Sequence, residues 1–199
     1  MIPEPIQKFI ESFSRLPSLG PRVATRLAFY LMNLDPSTFK NLETGLLNLK
    51  TLDRCKRCFF LKEAKKPLCD LCLDQKRNKN LIAIVEKETD LLSIEKTSQF
   101  RGQYLILGEL AEQGSLKTGQ KLRLQSLKNR IKDELGGRAE EIIVAVNPSA
   151  IGDFTADLIK QEFRELAEKI SRLGRGIPTG GEIEFADEET LNQALERRN

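Results

Sequence analysis

Four cysteines carry the most pointed chemistry in this chain. They form Cys55-x-x-Cys58 and Cys69-x-x-Cys72, ten residues apart, with no other thiol among 199 residues. Each C-x-x-C turn can offer two thiolates to one ion, and two such turns close a tetrahedral all-sulfur site. Soft ligands and a count of four favour zinc over magnesium or calcium. A redox C-x-x-C needs only one pair in a thioredoxin-like setting. An iron–sulfur cluster is the other alternative, but close symmetrical knuckles are the usual zinc pattern. With every coordination position taken by protein, such an ion is structural. It would hold a segment whose apolar content is mainly Phe59, Phe60 and Leu61.

A second group is cationic. In FIESFSRLPSLGPRVATRLAFYLMNL, Phe9, Phe13 and Leu16 recur at helical spacing. Pro17 and Gly20 break that pattern, and Val23, Leu27, Tyr30, Leu31 and Leu34 resume it, with Pro21 at a favourable first-turn position. The expectation is helix, tight turn, helix. A turn opening a helix at Gly20 leaves backbone N–H groups free for phosphate. Arg22 and Arg26, one turn apart, share a face and could grip a nucleic-acid backbone. The plainer reading is an αα-hairpin with two solvated arginines.

Histidine is absent, which removes Ser-His-Asp and Cys-His nucleophiles and any histidine base. Catalysis would rest on carboxylates, lysine or a metal. Charge is segregated. Residues 54–79 hold nine Lys/Arg against three Asp/Glu, and residues 80–199 hold seventeen against twenty-one. A basic segment beside a mildly acidic body suggests a polyanion contact at one end. The start MIPEPIQKFIESF lacks the basic and apolar regions of a signal peptide, and no apolar run reaches the ~20 residues of a membrane span. The expected location is the cytoplasm, where paired thiols bind metal more often than they form disulfides.

These side chains need a frame. From residue 80, apolar runs LIAIVE (81–86), QYLILG (103–108) and EEIIVAVN (140–147) alternate with helical TDLLSIEKT (89–97), KLRLQSLKNRIKDEL (121–135) and FTADLIKQEFRELAEKI (154–170). A short fourth strand is expected at ISRLG. Such alternation predicts an α/β domain with a mainly parallel sheet and functional groups at strand carboxyl ends, where Glu86 and Asn147 stand. A final short helix would be capped by Asp187.

LPSLGPRVATRLAFYL followed by the four cysteines resembles the bacterial recombination-mediator family RecR, as does the tail RGIPTGGEIEFAD. The resemblance implies a helix-hairpin-helix module for DNA binding and dimerisation over residues 1–53 and a four-cysteine zinc finger over 54–79. It implies a Toprim-like α/β domain over 80–175 and a tail over 176–199 used in subunit contacts. Gly20, Arg22 and Arg26 would then contact gapped or duplex DNA without reading its sequence. Subunits would form homodimers and ring-like homotetramers. The function implied is a non-catalytic clamp in recombinational repair, acting with RecO and RecF to help load recombinase at single-stranded gaps. In that family the Toprim acids serve protein contacts, a role that falls here to Glu86 and Asp153. The rival is a metal-dependent Toprim-type enzyme that nicks or synthesises strands. Toprim enzymes hold magnesium with a glutamate after the first strand and an Asp-x-Asp after a later one. Glu86 matches the first, but AVNPSAIGDFTAD puts Ile151 where the family more often has glutamate, leaving Asp153 as the nearest acid. One such pair is a poor octahedral oxygen site. IEFAD has no accompanying Gly-Lys-Ser/Thr loop, so nucleotide hydrolysis is not expected.

Overall fold

A computed structural model describes residues 2–110, 115–174, 176–196 and 198. Part of the loop expected after the second strand, and Arg175 of the tail motif, lie outside the described residues. The chain divides into two compact units, Met1–Leu52 and Asp53–Asn199.

The first unit is helical: α1 (Glu4–Phe13), α2 (Pro21–Met32), α3 (Pro36–Asn48) and a 3₁₀ turn (Leu49–Thr51). Proline opens α2 and α3 at the first helical position, where its fixed φ suits the helix and its missing N–H costs nothing. Asp35 caps α3 by accepting from the Ser37 and Thr38 amides, each at 3.0 Å. α1 packs on α2, whose Ala24 and Ala28 are the only buried side chains of this unit among the described residues. The sequence reading put Val23 and Tyr30 on the apolar face. Both are exposed, because the contact closes on the two alanines, where small side chains let backbones approach.

The second unit begins with the cysteine segment: β1 (Leu52–Arg54) paired with β2 (Leu61–Glu63), then the one-turn helix α4 (Asp70–Leu73). There follow β3 (Asn78–Val85), α5 (Glu88–Lys96), β4 (Gly102–Ile106), α6 (Thr118–Glu134), β5 (Ala139–Ala145), α7 (Ala150–Phe163) and β6 (Ala167–Arg172). A 3₁₀ turn (Ile183–Phe185) and α8 (Glu188–Glu196) complete it. The last four strands form one parallel sheet in the order β4-β3-β5-β6. This is the α/β class the alternation predicts. Asp187 caps α8 as expected, accepting from the Thr190 amide at 2.9 Å.

Alternate strand residues feed two cores, as a period of two requires. Ile82, Ile84, Leu105, Ile142 and Val144 face α6 and α7, meeting Leu124, Leu127, Ile131, Ile159 and Phe163. Ala83, Val85, Tyr104, Ile106 and Ala145 face the other way and meet Leu91 of α5 together with all four cysteines. One boundary departs from the sequence reading. The helix expected through Ile170 ends at Phe163, and 167–172 instead pairs with 139–144. Glutamate, leucine and alanine favour helix in RELAEK, but the unfilled edge of β5 offers a ladder of hydrogen bonds that overrides so weak a preference.

Candidate metal centre and nucleic-acid interface

The cysteine cluster is built by two local turns. After Cys58 the chain reverses at Phe59, whose φ of +65° lies in the left-handed region. The Phe59 amide donates to the Cys55 carbonyl at 2.9 Å and the Cys55 amide to the Phe60 carbonyl at 2.7 Å. Two further amides point at sulfur, Phe60 N–H to Cys58 Sγ and Cys69 N–H to Cys55 Sγ, each at 3.4 Å. All four sulfurs are buried and lie within 4.8 Å of one another. A tetrahedron of Zn–S bonds near 2.3 Å has sulfur–sulfur edges of about 3.8 Å, so the four thiols fit one ion. Contacts with Cys55, then Cys58 and Cys69, push the Cys72 thiol above its ordinary pKa, while the Cys55 thiol is driven below it by contacts with Cys58, Cys69 and Cys72. Four mutually repelling thiolates need a cation at their centre, and the arrangement can hold a tetrahedral metal ion.

The cluster leans on the sheet. Ile106 of β4 donates its amide to the Cys58 carbonyl at 2.9 Å, and Phe59 packs against both cores beneath the Arg123 guanidinium, 5.0 Å from its ring centre. The basic residues around the knuckles are largely engaged. Arg54 pairs with Glu88 and Arg57 with Glu134, both at 2.7 Å, while Lys66 meets Asp70 at 3.0 Å and Lys62 meets Asp53 at 3.5 Å. Part of the charge surplus that suggested a polyanion contact is thus paired within the chain, while Lys56 and Lys65 stay exposed.

Behind the cluster, Arg77 is anchored by Glu95. The guanidinium donates to both carboxylate oxygens and to the Gly102 carbonyl at 2.9 Å, and Glu95 accepts from the Tyr104 hydroxyl at 2.7 Å. Burial works to raise the Glu95 carboxyl, but the bonds from Arg77 and Tyr104 outweigh it and hold the pKa below its ordinary 4.5. Burial together with the Glu95 carboxylate raises the Tyr104 phenol. Sequence reasoning missed this network, because its members are distant in the chain.

At the carboxyl end of the sheet, strand order reverses between β3 and β5, and Glu86 sits at that switch point. Glu86 is 6% exposed. Its carboxylate accepts from Asn147 Nδ2 at 2.9 Å, lies 3.5 Å from the Leu110 amide, and meets Lys87 Nζ at 3.5 Å. Asn147 is fixed from behind by α7. Ser149 caps that helix through the Gly152 amide at 3.1 Å, and a Cβ on Gly152 would fall 2.0 Å from the Asn147 carbonyl. Asp153 instead pairs with Arg172 at 2.5 Å. Among the described residues the cysteines are the only group of three or more ligating side chains able to hold a metal, and neither Glu86 nor Asp153 belongs to it. A cleft of about 550 Å³ opens between β5, β6 and the tail, lined by Asn147, the partner of Glu86, and Arg172, the partner of Asp153, with Pro148, Asp187 and Thr190.

In the helical unit, Gly20 is the N-cap of α2 in extended geometry and offers no side-chain cap. Arg22 and Arg26 are both exposed on the first turns of that helix. No helix among the described residues is long and apolar enough to cross a membrane.

The whole chain has known counterparts. Residues 6–49 match the family model described as RecR helix-hairpin-helix, residues 80–174 the Toprim domain, and residues 176–199 the RecR C-terminal family. The protein named Recombination protein RecR from Chloroflexus aurantiacus is 36% identical over all of this chain and 95% of its own length. Its namesake in Paenarthrobacter aurescens is 36% identical over 98% of this chain and 96% of its own. That of Rubrobacter xylanophilus is 38% identical over 97% and 95%. With identity of this level along the entire length, the chain belongs to the RecR family of recombination proteins.

Proposed function

We propose that this protein is a non-catalytic, zinc-stabilised DNA clamp of recombinational repair, working in the cytoplasm. The observation that carries the reading is the opening of α2. An uncapped helix N-terminus at Gly20 stands beside two exposed arginines one turn apart, a combination suited to phosphate and indifferent to base sequence. The helical unit also supports assembly. It buries two alanines and exposes Phe39, Leu42, Leu46 and Leu49 at the 3-4-3 spacing of a helix seam, an apolar face that a second copy would cover. Dimers, and rings of them, repeat one weak phosphate contact around a single ligand, so a modest set of cations suffices.

Zinc fits the four thiols as a closed structural ion that ties the cysteine segment to the sheet. Engagement of Glu86 by Asn147 and of Asp153 by Arg172 favours protein contact over magnesium chemistry. Asp153 exposes 38% of its side chain against 8% for Glu86, so a basic partner such as RecO would meet Asp153 first.

The experiment uses a labelled gapped duplex with magnesium, each sample divided between a native and a denaturing gel. The expected result is a shifted complex with intact strands, lost in the Arg22→Glu/Arg26→Glu protein while its zinc content stays the same. Normal binding by that variant at physiological salt would remove the hairpin from the mechanism. A cut or extended strand would replace the clamp with an enzyme.

A further inference from the structure

Arg130, on α6, has both terminal nitrogens buried and without a hydrogen-bond partner. Its neighbours on the helix, Leu127 and Ile131, are core residues, so the guanidinium is carried inward. It lines a small pocket with Lys56, Arg57 and Leu68, the residues adjacent in sequence to Cys55, Cys58 and Cys69, and with Ser126, Asp133 and Glu134 of its own helix. The thiols of Cys72 and Cys58 are among the charges acting on it, alongside Arg57 and Glu134.

A buried cation with no partner is expensive unless an opposite charge lies close. The nearby cations have other attachments. Arg57 is paired with Glu134, Arg54 with Glu88, Lys62 with Asp53 and Lys66 with Asp70, while Lys56 and Lys65 are exposed to water. Four thiolates around a divalent ion leave a net charge of two minus in the core. We propose that Arg130 is the buried counter-charge of the metal–thiolate cluster, a positioning residue by which α6 holds the metal centre and slows loss of its ion. This rests on the zinc reading above. It accounts for a charged residue within the buried stripe Leu124, Leu127, Ile131, where packing alone calls for an apolar one.

The test compares full-length wild-type protein with Arg130→Met, Arg130→Gln, Arg130→Lys and, as a packing control on the same helix, Leu127→Ala. Two quantities are read: the rate of zinc transfer to excess 4-(2-pyridylazo)resorcinol, and the thiolate-to-metal charge-transfer band of the cobalt(II)-substituted protein. Removing a neighbouring positive charge makes the sulfurs more electron-rich, so both neutral variants should shift the band to lower energy. They should also lose zinc about tenfold faster or more. Arg130→Lys should restore most of the band position and rate. Leu127→Ala should lower the melting temperature with the band unmoved. If Arg130→Met does not fold, Arg130→Gln carries the same comparison. A neutral variant with wild-type band and zinc-loss rate would overturn the role of Arg130, and so would a band shift of equal size in Leu127→Ala. Wild-type protein lacking about one zinc per chain would overturn the metal reading itself, and this proposal with it.

Discussion

Glu95→Ala is the substitution whose consequences the structure fixes most tightly. It removes the carboxylate that both Arg77 terminal nitrogens and the Tyr104 hydroxyl address, leaving Arg77 the Gly102 carbonyl and Asp74, 3.7 Å away. Arg77 is 5% exposed at its side chain, so its charge would be stranded. Breaking a buried pair from one side costs about 3–5 kcal/mol. Glu95 itself is 24% exposed, and water can reach the vacated position. We therefore expect about 2–4 kcal/mol after that discount. For a unit the size of 53–199 this is a drop of about 5–15 °C in melting temperature. The transition is followed by release of the metal held by the four cysteines, which reports the second unit rather than the helical one. Because the Glu95 carboxyl is lowered in the folded state, its contribution is complete above the ordinary 4.5 and is lost as pH falls through the folded value. The gap between wild type and variant should thus be constant from neutral pH down to about 5 and narrow below it. Replacing all three partners with apolar groups, Arg77→Met/Glu95→Leu/Tyr104→Phe, should recover at least half the loss. A Glu95→Ala protein melting within about 1 °C of wild type, or a gap unchanged at low pH, would refute the reasoning.

Two further outcomes are expected. Gly152→Ala drives a methyl into the Asn147 carbonyl, so the 147–149 loop must move. Calorimetry should show about 2–3 kcal/mol of destabilisation, and a neutral result would mean that the loop yields freely. Leu42→Glu/Leu46→Glu places two charges on the exposed seam of α3 and should convert the proposed homo-oligomer to monomers in sedimentation velocity, with helix content kept. Retention of the wild-type mass would put the subunit contact elsewhere.

What the sequence disclosed depended on how local the cause was. The cysteine spacing declares its chemistry within eighteen residues, and the cluster closes as expected. Strands at 81–86, 103–108 and 140–147 appear at 78–85, 102–106 and 139–145, because continuous apolar runs mark strands buried on both faces. α3 escaped notice although Phe39, Leu42, Leu46 and Leu49 have helical spacing, since that stripe has no core within its own unit. The fourth strand was expected at ISRLG, but β6 begins earlier, at Ala167, in residues read as helix, because its start depends on the neighbouring strand and not on its own residues. Arg77 with Glu95, Arg54 with Glu88 and Asn147 with Glu86 are pairings that only the tertiary fold defines. Arg130 left a faint trace, a cation three residues after Leu127 and next to Ile131 in a buried stripe.

The support that Ile106 gives to the Cys58 carbonyl also sets a timetable. All four thiols have been synthesised once Cys72 is added, yet the strand that braces them arrives 34 residues later and Arg130 later still. At bacterial synthesis rates near 5–20 residues per second, the knuckles wait about 2–7 s before β4 is complete. During that interval the ligands are assembled but unshielded, open to metal uptake and equally to oxidation. Zinc captured early would fix the turn onto which the growing sheet then closes. A nascent chain that missed its ion would have to form one of its two hydrophobic cores around bare sulfur.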